Sequence, residues 1–215
     1  MRTRCSLVAT VAFLVPFTGL AQSLPWRASL HLAAVNLTSP LGTIPDSGTS
    51  FSADADLGIE LGAAFKLAPT WEVEVSALRS SIDLRAEPQE AASFPIGNAD
   101  LMVITAALQY RFFTTRLCHP YVGIGVHVAS VSGFSATDEL VNSGVATIDF
   151  ADSVSITAQI GTGFKLSEQI AVDLRATYHD LGTDADLLLP GGTPWRKLRL
   201  DIDPWTIAAG VDFRF

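Results

Sequence analysis

Apolar and polar residues alternate along eight stretches of this chain with a period of two rather than 3.6. In the first, Trp26, Ala28, Leu30, Leu32 and Ala34 interleave with Arg27, Ser29, His31 and Ala33. The same pattern recurs over 56–65, 71–78, 102–112, 121–128, 154–164, 170–179 and 205–215. A period of two predicts strands with one apolar face. Eight is an even number, as an up-and-down outer-membrane barrel requires. The connections at 67–70, 114–119 and 166–169 are short, whereas those at 36–53, 79–98, 133–150 and 182–203 are long. Short and long alternate strictly, which predicts tight turns at one rim and long loops at the other. No helical segment, internal repeat or linker stands out, so residues 22–215 read as one domain. The expected fold is all-β, an eight-stranded antiparallel up-and-down transmembrane β-barrel.

Composition separates a membrane barrel from its rivals. The chain is 48% hydrophobic and only 17% charged, where about 25% charged is usual for soluble domains. No stretch after the first 20 residues approaches the ~18–20 continuous apolar residues of a membrane helix. The apolar content excludes a disordered chain. The formal charge of −8 repels phosphate and argues against nucleic acid as a partner. A lipocalin-like soluble barrel would bury the apolar face, and a membrane barrel turns it outward. Aromatics decide for the second. Phe65, Trp71, Tyr110, Phe112, Phe164, Phe213 and Phe215 gather near the short turns, with Tyr178 and Trp205 at the opposite strand ends. Two aromatic girdles around an aliphatic band mark an outer-membrane barrel.

The amino terminus supports export. Arg2 and Arg4 precede an apolar stretch from Cys5 to Leu20 that Pro16 interrupts, and Gly19-Leu20-Ala21 offers small residues for signal peptidase. Residues 1–21 are therefore expected to be a cleaved signal peptide; a retained anchor helix is the alternative. Cleavage leaves 12 basic against 22 acidic residues and Cys118 as the one cysteine. An internal disulfide is then impossible.

Several pieces together resemble the OmpW family of outer-membrane proteins. Asp201-Ile202-Asp203-Pro204-Trp205 precedes Gly210-Val211-Asp212-Phe213-Arg214-Phe215 at the C-terminus. Ala99-Asp100-Leu101 leads into Leu108-Gln109-Tyr110-Arg111-Phe112, followed by Pro120-Tyr121-Val122-Gly123-Ile124-Gly125-Val126. Tyr178-His179-Asp180-Leu181 is similar to the family's pattern at the end of the seventh strand. The chain departs from it at His127-Val128, where the family usually has Asn-Tyr. The resemblance implies an integral protein of the Gram-negative outer membrane, with its long loops extracellular. It also implies a porin-like role in passing small hydrophobic molecules. The implied partners are outer-membrane lipid and lipopolysaccharide, such solutes, and the barrel-insertion machinery, whose signal the terminal Gly-x-x-Phe-x-Phe resembles. The alternative is a structural or adhesive barrel whose external loops bind a phage, a bacteriocin or a host surface.

Eight strands leave an interior that side chains fill, so a wide aqueous pore is not expected. Arg27, Glu72, Glu74, Arg111, Asp173, Arg175, Asp212 and Arg214 all fall near the short-turn rim on the polar face. They are expected to form a charged plug, with Asp173 and Arg214 as one candidate pair. Gly123, Gly125, Gly161 and Gly163, with His127 and Gln159, are expected to leave a narrow pocket in one wall. Leu187, Leu188 and Leu189 are candidates for an apolar entrance. A solute would enter from the loops and leave sideways into the bilayer above the plug. His127 and Ser130 are separated by an odd number of strand residues and so face opposite ways, unlike a nucleophile and its base. No catalytic set, cofactor motif or metal-ligand spacing is expected.

Overall fold

The computed structural model describes residues 26–37, 40–44, 48–55, 57–113, 117–142 and 144–215. The expected signal peptide and the turn at 114–116 lie outside them. The described elements are β1 (Trp26–Asn36), β2 (Gly42–Ile44), β3 (Thr49–Ala55), β4 (Leu57–Lys66), β5 (Trp71–Glu87), β6 (Phe94–Arg111), β7 (Cys118–Ala136), α1 (Asp138–Asn142), β8 (Thr147–Phe150), β9 (Ser153–Lys165), β10 (Ile170–His179), β11 (Gly182–Leu188), β12 (Pro194–Asp201) and β13 (Trp205–Arg214). Eight of these strands, β1, β4, β5, β6, β7, β9, β10 and β13, pair antiparallel around a closed ring. The ring closes between the first and last strands, from Arg27 opposite Arg214 to Asn36 opposite Trp205. Closure is what lipid demands, because no water is present there to satisfy an open strand edge.

Each barrel strand carries an apolar outer face. On β4, Leu57, Ile59 and Leu61 are exposed while Gly58 and Glu60 point inward and are buried. Leu32, Ile124, Val154, Ile160 and Ile207 continue the band around the barrel. The aromatics flank it as expected. Trp26 meets Phe65 at 4.9 Å, and Trp71 meets Tyr110 at 5.0 Å near the short turns. Tyr178 meets Trp205 at 5.3 Å at the other end.

The long strands show where the sequence-based picture stops. β5, β6 and β7 run for 17, 18 and 19 residues, well beyond the roughly 9–11 needed to span a bilayer. Along β5 the outward residues change from Trp71, Val73, Val75 and Ala77 to Arg79, Ser81, Asp83, Arg85 and Glu87. Over the same stretch the inward residues change from Glu72, Glu74 and Ser76 to Leu78, Ile82 and Leu84. β6 mirrors this, with outward Asn98 giving way to Met102 and Ile104, and inward Leu101 and Val103 to Thr105 and Gln109. Past the membrane the outer wall meets water, so the apolar face belongs inside again. The lumen is therefore polar in its lower part and apolar above, not polar throughout.

Three of the expected long loops are thus largely sheet. Much of 79–98 is the continuation of β5 and β6, which pair as far as Ala86 and Phe94. In the first loop β3 pairs with the extension of β5, and β2 with β3. Residues 182–203 fold as the β11–β12 hairpin, which joins β8 in a separate three-stranded sheet. One helix, α1, also forms where none was expected. Thr137 Oγ1 accepts from the Leu140 amide at 3.4 Å, and Leu140 is buried in the apolar cluster below.

Lipid exposure makes a depth-dependent prediction. Leu61→Arg, in the middle of the outer band, should cost about 2–4 kcal/mol of barrel stability. Leu57→Arg, at its upper edge, should cost about 0–1 kcal/mol. Denaturant unfolding in lipid vesicles reads both, and equal costs would refute the assigned band.

Candidate functional site

Inside the barrel, three layers follow one another from the short turns to the loops. The lowest is ionic. Arg27 Nη2 donates to Glu74 Oε2 at 2.7 Å and Nη1 to Asp212 Oδ1 at 3.0 Å. The same Nη2 reaches Glu72 Oε2 at 3.3 Å. Arg111 Nε donates to Glu72 Oε2 at 2.7 Å. Arg175 bridges Glu74 and Glu60, the latter at 3.0 Å. Strand register explains the meeting: Arg27, Glu74, Arg175 and Asp212 are inward positions on four strands, and each is at most 5% exposed.

His31 lies within this layer. Arg175 Nη2 stands 3.0 Å from His31 Nδ1. A guanidinium only donates, so Nδ1 is the acceptor and Nε2 carries the ring proton. Nε2 faces Asp173 at 3.4 Å and Asp212 at 3.9 Å. Tyr121 donates to the same carboxylate oxygen, Asp173 Oδ2, at 2.9 Å. The Arg111 guanidinium stacks 4.5 Å from the centre of the Tyr121 ring, a cation–π contact. Asp173 therefore pairs with His31 and Tyr121, not with Arg214. In the ladder Asp173 stands opposite Gly210, four residues from Arg214, which sits at the rim opposite Arg27. Glu60, His31, Gln109 and Tyr121 belong to the layer although none was a plug candidate. What brings them in is strand register, such as His31 against Glu60, which a sequence does not display.

The glycines are occupied, not vacant. A Cβ on Gly161 would lie 2.4 Å from the Tyr121 ring, and one on Gly123 would lie 2.7 Å from Gln159 Cγ. On Gly125 it would strike the Ala106 carbonyl at 2.2 Å. Gly163 leaves room for the ends of Arg111 and Asp173, 3.7 and 3.8 Å from its missing Cβ. These residues seat neighbouring side chains and allow strands to approach; they do not open a pocket. Gly210 does the same for His31, whose Cδ2 would be 2.4 Å away.

A middle layer holds His127 and His179 with Thr105, Thr157, Thr177 and Thr206, all buried. Above it the lumen is an apolar column that includes Ile82, Leu84, Leu101, Leu200 and Ile202. The remaining gap is water-sized, about 10 Å³. Leu187 and Leu198 roof the column from the β11–β12 hairpin. Of the three entrance candidates, Leu187 is buried inward, while Leu188 and Leu189 are half-buried. The hairpin's other face is charged. Lys197 donates to Asp184 across 2.9 Å, which holds its ammonium above the usual lysine range.

The OmpW family model matches residues 31–215. This chain belongs to the OmpW family. Outer membrane protein W of Salmonella typhimurium is 24% identical over 163 residues, covering 75% of this chain and 76% of that protein. Outer membrane protein AlkL of Ectopseudomonas oleovorans is 24% identical over 196 residues, covering 88% and 82%. The crystal structure of OprG from Pseudomonas aeruginosa superposes with a TM-score of 0.75 at 21% identity, covering 88% of this chain and 94% of that one. This OmpW-family barrel is thus an outer-membrane protein, with its short turns toward the periplasm and its long loops outside.

Ion pairing in the lowest layer predicts a contrast. Arg175→Leu strands Glu60 in the lumen, leaves Glu74 with Arg27 alone, and should cost about 3–5 kcal/mol. Arg79→Leu removes a bridge to Asp100 that is 74% exposed on the arginine side and should cost no more than about 1 kcal/mol. Unfolding midpoints compare them, and similar losses would contradict the layered assignment.

Proposed function

We propose that this OmpW-family barrel conducts small hydrophobic molecules from the outer face of the outer membrane into its bilayer. The observation that carries the reading is the apolar column above a sealed ionic layer. A route along the axis would have to cross Arg27, Glu74, Arg175 and Asp212, a layer that rejects an apolar solute because its charges are already paired and desolvated. A route that stops at the column meets no such barrier. The solute enters beneath the β11–β12 hairpin by displacing Leu187 and Leu198. It leaves sideways at the upper edge of the lipid band. The Ala34–Leu57 pair of the β1–β4 ladder lies at that height. Exposed Leu32 and Leu57 flank that point on the lipid side.

Lipopolysaccharide and outer-leaflet lipid are the surroundings in which such a conduit matters, since a charged saccharide layer slows hydrophobic molecules more than polar ones. The terminal strand, ending in Phe213 and Phe215, is the segment offered to the insertion machinery.

The test is entry of a hydrophobic and a polar probe of similar size into vesicles with a lipopolysaccharide outer leaflet. The barrel should accelerate the hydrophobic probe selectively. Val131→Trp, which fills the column, should reduce that acceleration several-fold in a protein that still folds. Absence of acceleration would overturn the conduit and favour a barrel whose loops bind a partner.

A further inference from the structure

Between the ionic layer and the apolar column lies a pair of histidines that the conduit does not require. His127 is the inward position directly below Ala129 on β7, and His179 the one directly below Leu181. Both Ala129 and Leu181 belong to the apolar cluster. The rings meet edge to face, with centroids 4.9 Å apart and planes at 89°. His127 is 1% and His179 4% exposed. Nδ1 of His179 is buried with no protein hydrogen-bond partner, and the His127 ring lies against the Ile156 backbone without a well-aligned hydrogen bond from either nitrogen. Two nearby hydroxyls are engaged elsewhere, while Thr206 Oγ1 in the same layer is likewise buried without a partner. Thr157 Oγ1 donates to the Tyr178 carbonyl at 2.8 Å, and Ser155 Oγ to the Asp180 carboxylate at 3.2 Å.

Buried polar groups without partners are costly and seldom left so. We infer that His127 and His179 form a recognition site for the single hydroxyl of an uncharged amphiphile whose apolar tail enters the column above by displacing Leu187 and Leu198. The inference rests on the conduit reading and narrows its solute class. A neutral imidazole presents one donor and one acceptor nitrogen. A hydroxyl supplies one of each, so it can bridge the two rings, which an alkane cannot. A carboxylate fits poorly. The column offers it no cation, and burial of an unpaired charge is prohibitive. A metal ion also fits poorly, because among the described residues no group of three or more ligating side chains forms.

The probes are 1-octanol and octane, applied to the full barrel in lipid nanodiscs with ¹⁵N-labelled histidine. Octanol should shift the imidazole nitrogens of His127 and His179, and octane should leave them in place. A companion measurement uses the lipopolysaccharide-faced vesicles. The double variant His127→Leu/His179→Leu should still accelerate octane but lose most of the preference for octanol. Equal imidazole shifts with both probes, no shift with octanol, or an unchanged octanol preference in the folded double variant would overturn the site. Failure of the conduit looks different: neither probe would enter faster than through protein-free vesicles, while the octanol shift would still report on the histidines.

Discussion

A strand in lipid has no solvent to complete its backbone hydrogen bonds, so every strand edge must find another strand. That constraint fixes the ring of eight and joins β1 to β13. Once the ring closes, each residue faces either lipid or lumen, and the choice alternates strictly. Everything inside then depends on what surrounds the wall at that height. Where lipid surrounds it, apolar side chains face out and the lumen receives the polar ones. Where the wall rises into water, the same alternation continues with the assignments exchanged. The crossover on β5 falls between Ala77 and Arg79 outside, and between Ser76 and Leu78 inside. A polar lower lumen and an apolar upper lumen are therefore two results of one wall passing from one solvent to another.

The ionic layer follows from this geometry. A barrel of eight strands has little interior, and inward charges cannot avoid one another. Buried ion pairs are not in themselves strong sources of stability, since desolvation offsets much of the attraction. Their effect here is to specify and to seal. Arg27 ties β1 to β5 and β13, and Arg175 ties β10 to β4 and β5, so strands distant in sequence are held at one level. Tyr121 on Gly161 and His31 beside Gly210 fill what the ions leave. The ionic layer thus stands below the apolar column along the barrel axis.

The residues above the membrane do more than connect strands. Leu187 and Leu198 cover the column while Lys197 and Asp184 face solvent on the same hairpin. This sheet is amphipathic in the ordinary soluble sense, and its apolar face closes the top of the column. The histidine pair lies at the foot of the column. It stands where apolar lining gives way to polar lining.

The sequence by itself determined the strand period, the number of membrane-crossing strands, the lipid-facing residues and the compartment. Those depend on local alternation and on aromatic positions, which are written along the chain. It also determined that charges would collect near the short-turn rim. Which charges pair was beyond its reach. Asp173 and Arg214 look like partners by sign and strand adjacency, but register sets them four residues apart. The glycine row looked like space because a missing side chain is visible in sequence, whereas the Tyr121 ring and the Gln159 chain that occupy it arrive from neighbouring strands. The long loops looked irregular because the alternation was judged by apolar residues outside, and above the membrane those residues are inside. Only the tertiary structure brings β3 beside β5, β8 beside β11, and His127 against His179. Each of these contacts joins segments whose separation along the chain carries no local signal, and each is set by the shear and closure of the barrel as a whole.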